Sequence, residues 1–185
     1  MNRCTWANSN FLMIEYHDKE WGVPVHDDQK LFEFLILEGA QAGLSWQTVL
    51  NKRENYRKAF NYFNISKIAL YGDKEVKLLL ANSGIIRNRL KIAATIQNAR
   101  MFLKIQKEFG SFDTYIWQFV GNEPLKNKFS SIQEIPTSTK ESTAMSKDLL
   151  KRGFKFVGST ICYAFMQAVG MVDDHQTNCF KYNVG

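Results

Sequence analysis

The stretch KESTAMSKDLLKRGFKFVGSTICYAFMQAVG (140–170) decides the reading of the fold. A helical pattern runs from 140 to 152, pauses at Gly153-Phe154-Lys155-Phe156-Val157-Gly158, and restarts at Ser159. Cys162, Phe165, Met166 and Val169 keep i, i+3, i+4, i+7 spacing, so the second helix buries one face and Cys162 belongs to the core. The pattern is helix, hairpin, helix. A helix that restarts after glycine also presents free backbone N–H groups, which bind phosphate without any special side chain. Ser159 and Thr160 add hydroxyls there, and Arg152 and Lys155 add charge. An ordinary surface hairpin is the plainer alternative.

On the N-terminal side of this motif, 121–139 is polar, contains Pro124 and Pro136, and reads as the longest loop. Residues 85–109 carry a long periodic pattern closed by Gly110, 74–81 form a short helix stopped by Asn82-Ser83-Gly84, and 115–120 is helical too. Ser45 caps a helix continuing through Trp46, Val49, Leu50 and Tyr56. Asp27 or Asp28 caps another, whose Leu31, Phe34 and Leu35 keep helical spacing until Gly39 and Gly43 break it. There is no alternating strand of useful length and no internal repeat, so the fold class is all-α.

The chain has 185 residues, 45% hydrophobic and 23% charged, which is enough to bury a sizeable core and excludes a disordered polymer. It reads as one unit, 1–185. Twenty-four Lys and Arg against eighteen Asp and Glu give a net charge of +6, which favours a polyanionic partner such as nucleic acid. No apolar run approaches the ~18 residues of a membrane span, and the start MNRCTWANSN lacks the apolar core of a signal peptide. The expectation is a cytoplasmic protein with no membrane partner. Three Cys without a secretory signal point to reduced thiols or metal ligands, not to a disulfide framework.

Glu38 is the most informative residue, because it occupies the next position, i+7, on the apolar stripe begun by Leu31. A carboxylate buried there needs a partner, or suffers a desolvation cost that raises its pKa until a ligand supplies donors. The alternative is a helix-end Glu that turns outward at Gly39 or pairs with Arg. Trp6, Tyr16, Trp21 and Trp46 supply aromatic faces in the same part of the chain, suited to stacking on a planar or cationic ring, although such clusters also serve simply as core. Cys4 and His17 lie at one end of the chain, and His175 and Cys179 at the other as H-x3-C, a pair that helical spacing would place on one face. Together they make a Cys2His2 set, which would close a tetrahedral zinc site with no position left for water. A buried Cys or a helix-capping His would explain them equally. His26 has no such companions and reads as a surface residue.

Taken together, RCTWA (3–7), EYHDKEWGVP (15–24), LEGAQAGLSWQTVLNKRENYRKAF (37–60), GIIRNRLKI (84–92), EIPTST (134–139) and KRGFKFVGSTICYAFMQAVGMVDDH (151–175) resemble the 3-methyladenine DNA glycosylase I family over nearly the whole chain. The resemblance implies a helix-hairpin-helix glycosylase fold, with that motif at about 142–170 and Lys155, Phe156, Gly158, Ser159 and Thr160 on DNA. It implies one structural Zn2+ per chain on Cys4, His17, His175 and Cys179, joining the ends 4–17 and 175–179. Glu38 becomes the catalytic pocket carboxylate. Tyr16 becomes its hydrogen-bonding neighbour and Trp46 a stacking wall, with Trp6 and Trp21 in weaker substrate-binding roles. The expected activity is hydrolytic release of 3-methyladenine by a monomer acting on double-stranded DNA that contains alkylated adenine, with no lyase step. Three positions depart from the superfamily pattern: Phe156 stands at the first glycine of the usual Gly-Val-Gly turn, Met13 where some relatives carry Tyr, and Asp173 near an aspartate that other branches use for catalysis. Two readings from other classes compete, a DNA-binding module without catalysis and a zinc-stabilised interaction domain.

Overall fold

Side-chain caps written into the sequence set most helix starts in the computed structural model, which describes residues 1–182. The helices are α1 (Phe11–Lys19), α2 (Asp28–Gln41), α3 (Trp46–Leu50), α4 (Arg53–Ala59), α5 (Ile65–Ala69), α6 (Asp73–Ala81), α7 (Arg89–Phe109), α8 (Phe112–Ile116), α9 (Lys140–Lys151) and α10 (Ser159–Ala168). Asn10, Asp27, Ser45, Asn64, Asn88, Ser111 and Thr139 each accept a hydrogen bond from a backbone N–H of the helix they precede. Asp28, the other cap candidate for α2, instead accepts from Phe112 N and Asp113 N at 2.9 and 2.8 Å, tying α8 to the start of α2.

Helix α2 is the axis of the molecule. Every residue from Leu31 to Ala40 is buried, and α3, α7, α8 and α10 all pack against it. Phe32 meets Phe102 of α7 edge-on at 5.2 Å. Side chains this fully removed from water stabilise by roughly 1.5–3 kcal/mol each, which is why an interior helix tolerates so few polar residues. The helix does not stop at Gly39 as the sequence suggests. A Cβ there would lie 3.3 Å from the Cβ of Phe156 and 3.4 Å from its carbonyl oxygen, so this glycine serves the close approach of the hairpin and not a helix end.

Two other helices are shorter than their patterns. The Ser45 helix breaks at Asn51 and Lys52, and the turn delivers Arg53, at the start of α4, to Glu20 and Glu33. The long helix begins at Arg89, because the Asn88 cap ends an irregular segment over 85–88. The sequence reading also missed a two-residue parallel pairing of β1 (Leu125–Lys126) with β2 (Val172–Asp173), too short to show alternation. It ties the 121–139 loop to the chain after α10, helped by Thr177 N donating to Phe129 O at 2.9 Å.

The hairpin between α9 and α10 is held from inside. Phe154 and Val157 are buried, Ser146 Oγ donates to Val157 O at 2.7 Å, and Asn98 of α7 bonds both Lys155 N and Lys155 O. Cys162 is fully buried and its thiol donates to Val157 O, as expected of a core residue. His26 is exposed, stacked on Trp117 and paired with Asp113. No helix among the described residues is long and apolar enough to cross a membrane.

Candidate active site and metal centre

Glu38, near the C-terminal end of α2, is 4% exposed and opens into a cleft of about 360 Å³ lined by Trp6, Met13, Tyr16, Trp21, Trp46 and residues of α2, α10 and the 121–139 loop. Burial pushes its carboxyl up to about 8, and no donor among the described residues offsets that. Beside it, burial first and the neighbouring Glu38 second raise the Tyr16 hydroxyl well above its ordinary value, so Tyr16 stays protonated. The Tyr16 ring lies 5.1 Å from that of Trp46 and 6.3 Å from Trp6, which meets Trp21 edge-on at 5.0 Å. Trp46 has its indole N–H buried with no partner. Four aromatic rings therefore line a cleft onto which a carboxyl without a donor opens. That arrangement costs folding energy and is repaired only by a ligand.

The sequence reading named five of these residues as site candidates, met Met13 only as a departure at a pocket-wall position, and missed five. Gln41 had a signal, since it lies three positions from Glu38 on the same helix. Ala164 and Gln167 are spaced the same way on α10, off the Cys162 stripe. Ile132 and Ile135 carry no local signal; the β1–β2 pairing brings their loop over the cleft.

At the chain ends, Cys4, His17 and Cys179 bring one ligand atom each within 4.8 Å of one another, all buried. His175 is not among these three, but its ring centre is 5.2 Å from that of His17 and its Nε2 is buried without a partner. Each histidine has its other nitrogen committed to a carboxylate, His17 Nδ1 to Asp18 at 2.8 Å and His175 Nδ1 to Asp173 at 2.7 Å. That directs both Nε2 atoms for use elsewhere. Burial pushes the Cys4 thiol up to about 12. Residues 175–179 form turns and not the helix that H-x3-C spacing suggests, because Gln176 turns its backbone N–H to Cys4 Sγ and its side chain to Thr5 N. Gly22 is required here: it has φ +74°, and a Cβ would come within 2.7 Å of the His175 ring. Asp173 is occupied in orienting His175, whereas its neighbour Asp174 is buried and accepts from Tyr163, Gln167 and Asn127.

At the hairpin, Lys155, Gly158 and Thr160 are exposed and Ser159 is half-buried. Gly158 has φ −62°, open to any residue, and a Cβ there meets nothing within 4 Å. Phe156, half-buried, takes the left-handed conformation, φ +55°, with its Cβ and carbonyl oxygen both against Gly39.

A hairpin-linked helix pair beside an aromatic cleft that leaves one carboxyl bare defines a helical protein built to receive a planar ring. The chain belongs to the methyladenine glycosylase family, whose model matches residues 6–182. It is 52% identical to DNA-3-methyladenine glycosylase 1 of Escherichia coli (strain K12), covering 98% of this chain and 97% of that protein. It is 49% identical to the DNA-3-methyladenine glycosylase of Haemophilus influenzae (strain ATCC 51907 / DSM 11121 / KW20 / Rd), covering 96% of each. A solved structure of a variant 3-methyladenine DNA glycosylase I in complex with 3-methyladenine is similar at TM-score 0.95 and 34% identity, covering 98% of each chain.

Proposed function

We propose that this protein is a base-excision repair glycosylase that flips 3-methyladenine out of alkylated DNA and hydrolyses its N-glycosidic bond, leaving an abasic site. The observation that carries the reading is the bare, buried carboxyl of Glu38 among aromatic rings. Neither a DNA-binding module without catalysis nor an interaction domain gives that group a use.

Alkylation at N3 gives the base a positive charge, so it already leaves readily and needs little acid assistance. The cleft adds what such a leaving group lacks. Rings of Trp46, Tyr16 and Trp6 stack on and beside the cation, and its charge draws Glu38 into the carboxylate form, which then accepts from the exocyclic amine. Water attacks the sugar carbon as the bond to the base breaks, and its proton leaves to solvent or to a carboxylate. The cleft lining contains no lysine, so no amine stands ready for a Schiff base or lyase step. A single-turnover assay on methylated duplex DNA tests the reading: free 3-methyladenine and abasic sites appear, without strand breaks until alkali is added. Absence of base release by folded protein overturns it.

The chain-end cluster is assigned to one structural zinc held by Cys4, His17, His175 and Cys179. Two thiols, two carboxylate-oriented imidazoles and an orphaned buried Nε2 suit that ion. Bound there, zinc supplies a closed cross-link and no open coordination position. Metal analysis of protein prepared without chelator should find about one zinc per chain, lost in Cys179→Ser. Protein free of zinc under those conditions removes the assignment.

DNA is taken to dock on the hairpin, where Lys155, Gly158 and Thr160 are exposed beside the half-buried Ser159 and the open ground at Gly158 admits a phosphate. Gly158→Asp should weaken duplex binding while leaving binding of the free base intact. Since φ at this position suits any residue, the loss would report the carboxylate and not a strained turn.

A further inference from the structure

We infer that Arg87 and Arg89 form a second phosphate-binding patch, which carries the DNA footprint from the hairpin across to the end of α2; this rests on the glycosylase reading above. The chain has seven arginines, and five of them are committed inside the fold. Arg3 holds Asp18, Arg53 holds Glu20 and Glu33, Arg57 holds Glu33 and Glu54, Arg152 holds Asp148 and Glu108, and Arg100 donates to the carbonyls of Ala69 and Tyr71. Arg87 and Arg89 are both exposed and have no hydrogen-bond or ion-pair partner among the described residues. A guanidinium left in water contributes nothing to the fold, yet it is the side chain best matched to a phosphate.

Their placement is also unfavourable unless an anion arrives. The two arginines flank Asn88, the cap of the longest helix, at its positive end, and the first turn of α7 contains no acidic residue to offset them. A phosphate there would satisfy the guanidinium groups and the helix dipole together.

The segment is firmly placed beside the elements that the substrate must meet. Ile86 N donates to Tyr56 Oη at 3.3 Å, and Lys91 Nζ donates to Ala40 O and Ala42 O at 2.7 Å each, just past Glu38 on the chain. Ile86 and Lys91 share a small cavity with Gly39 and Phe156, the contact between α2 and the hairpin turn. The arginine pair therefore stands on the same side of the molecule as the turn, next to the helix end that carries the pocket carboxyl. A duplex held only at the hairpin could pivot. A second hold on its backbone, at the other edge of this contact, would fix the strand while one nucleotide leaves the stack.

The test is the salt dependence of binding to an alkylated duplex. In R87A/R89A the slope of log affinity against log salt should fall by about 2, about 1 for each arginine, with binding of free 3-methyladenine unchanged and thermal melting not lowered. R87K/R89K should keep most of the slope, which a purely structural role would not explain. An unchanged slope in R87A/R89A, beside a salt-dependent wild type, overturns the patch and leaves the glycosylase reading standing. A wild type that neither binds duplex DNA nor releases base overturns that reading, and this inference with it.

Discussion

Helix α2 carries two buried glutamates five residues apart, and their surroundings are opposite. Glu33 is 8% exposed and accepts from Arg53 Nε at 2.6 Å and Arg57 Nη2 at 2.8 Å, while Arg53 also forks onto Glu20 and lies over the Phe34 ring. Glu38 is 4% exposed, opens onto the aromatic-lined cleft and has no donor among the described residues. The same residue type on the same buried helix is thus paired at one end and left without a donor at the other. Burial alone does not mark a functional carboxylate; burial without a partner does.

The largest effect should come from breaking the satisfied end. Arg53→Ala strips one of the two arginines from Glu33 and leaves Glu20 without its fork, which should cost about 3 kcal/mol of stability, because buried carboxylates lose a counter-charge. Base release per folded molecule should be little changed. Chemical denaturation and active-site-normalised excision read the two quantities, and a stability loss below about 1 kcal/mol would mean the network is only decorative.

Glu38→Gln should reverse that pattern. Losing a charge-assisted hydrogen bond should slow excision by about 2 kcal/mol, roughly thirty-fold, without lowering stability. Residual activity is expected, since the substrate brings its own positive charge. Asp173→Asn should keep most activity while loosening the His175 end, given that Asp173 is bonded to His175. Near-wild-type rates for Glu38→Gln beside a collapse for Asp173→Asn would transfer the chemistry to the wrong end of the comparison.

The difference also has a pH signature. Glu38 titrates near 4.5 when unfolded and at about 8 when buried, so between these values the native state holds a proton that the unfolded chain has lost. Stability attributable to this proton is complete below about 4.5 and disappears as pH rises through about 8. Glu38→Gln has no such proton to lose. Its melting temperature should therefore gain on wild type across that window and level off above it, and a constant difference would reveal a donor at Glu38.

Tyr16→Phe should be the mildest change, weakening free 3-methyladenine by about 1 kcal/mol or less, because the ring against Trp46 at 5.1 Å is retained. Calorimetric titration measures it, and a loss as large as that of Glu38→Gln would make the hydroxyl an equal partner of the carboxylate.

The sequence by itself determined the Ser45 cap, narrowed the α2 cap to Asp27 or Asp28, and gave the helix-hairpin-helix, the place of Glu38 on an apolar stripe and the residue types gathered at the chain ends. All of these rest on periodicity, side-chain chemistry or cap bonds that span only three or four residues. Only the tertiary structure decided that Glu33 is paired and Glu38 is bare, since the arginines that make the difference lie twenty or more residues further along the chain. It likewise decided that Gly39 serves the hairpin, that Asp173 serves His175, and that Ile132 and Ile135 cover the cleft. The physical reason is that a residue's position in a helix is fixed by its near neighbours. Whether its polar atoms are satisfied depends on which distant segments pack against that helix, and this site is defined by polar atoms that none of them satisfies.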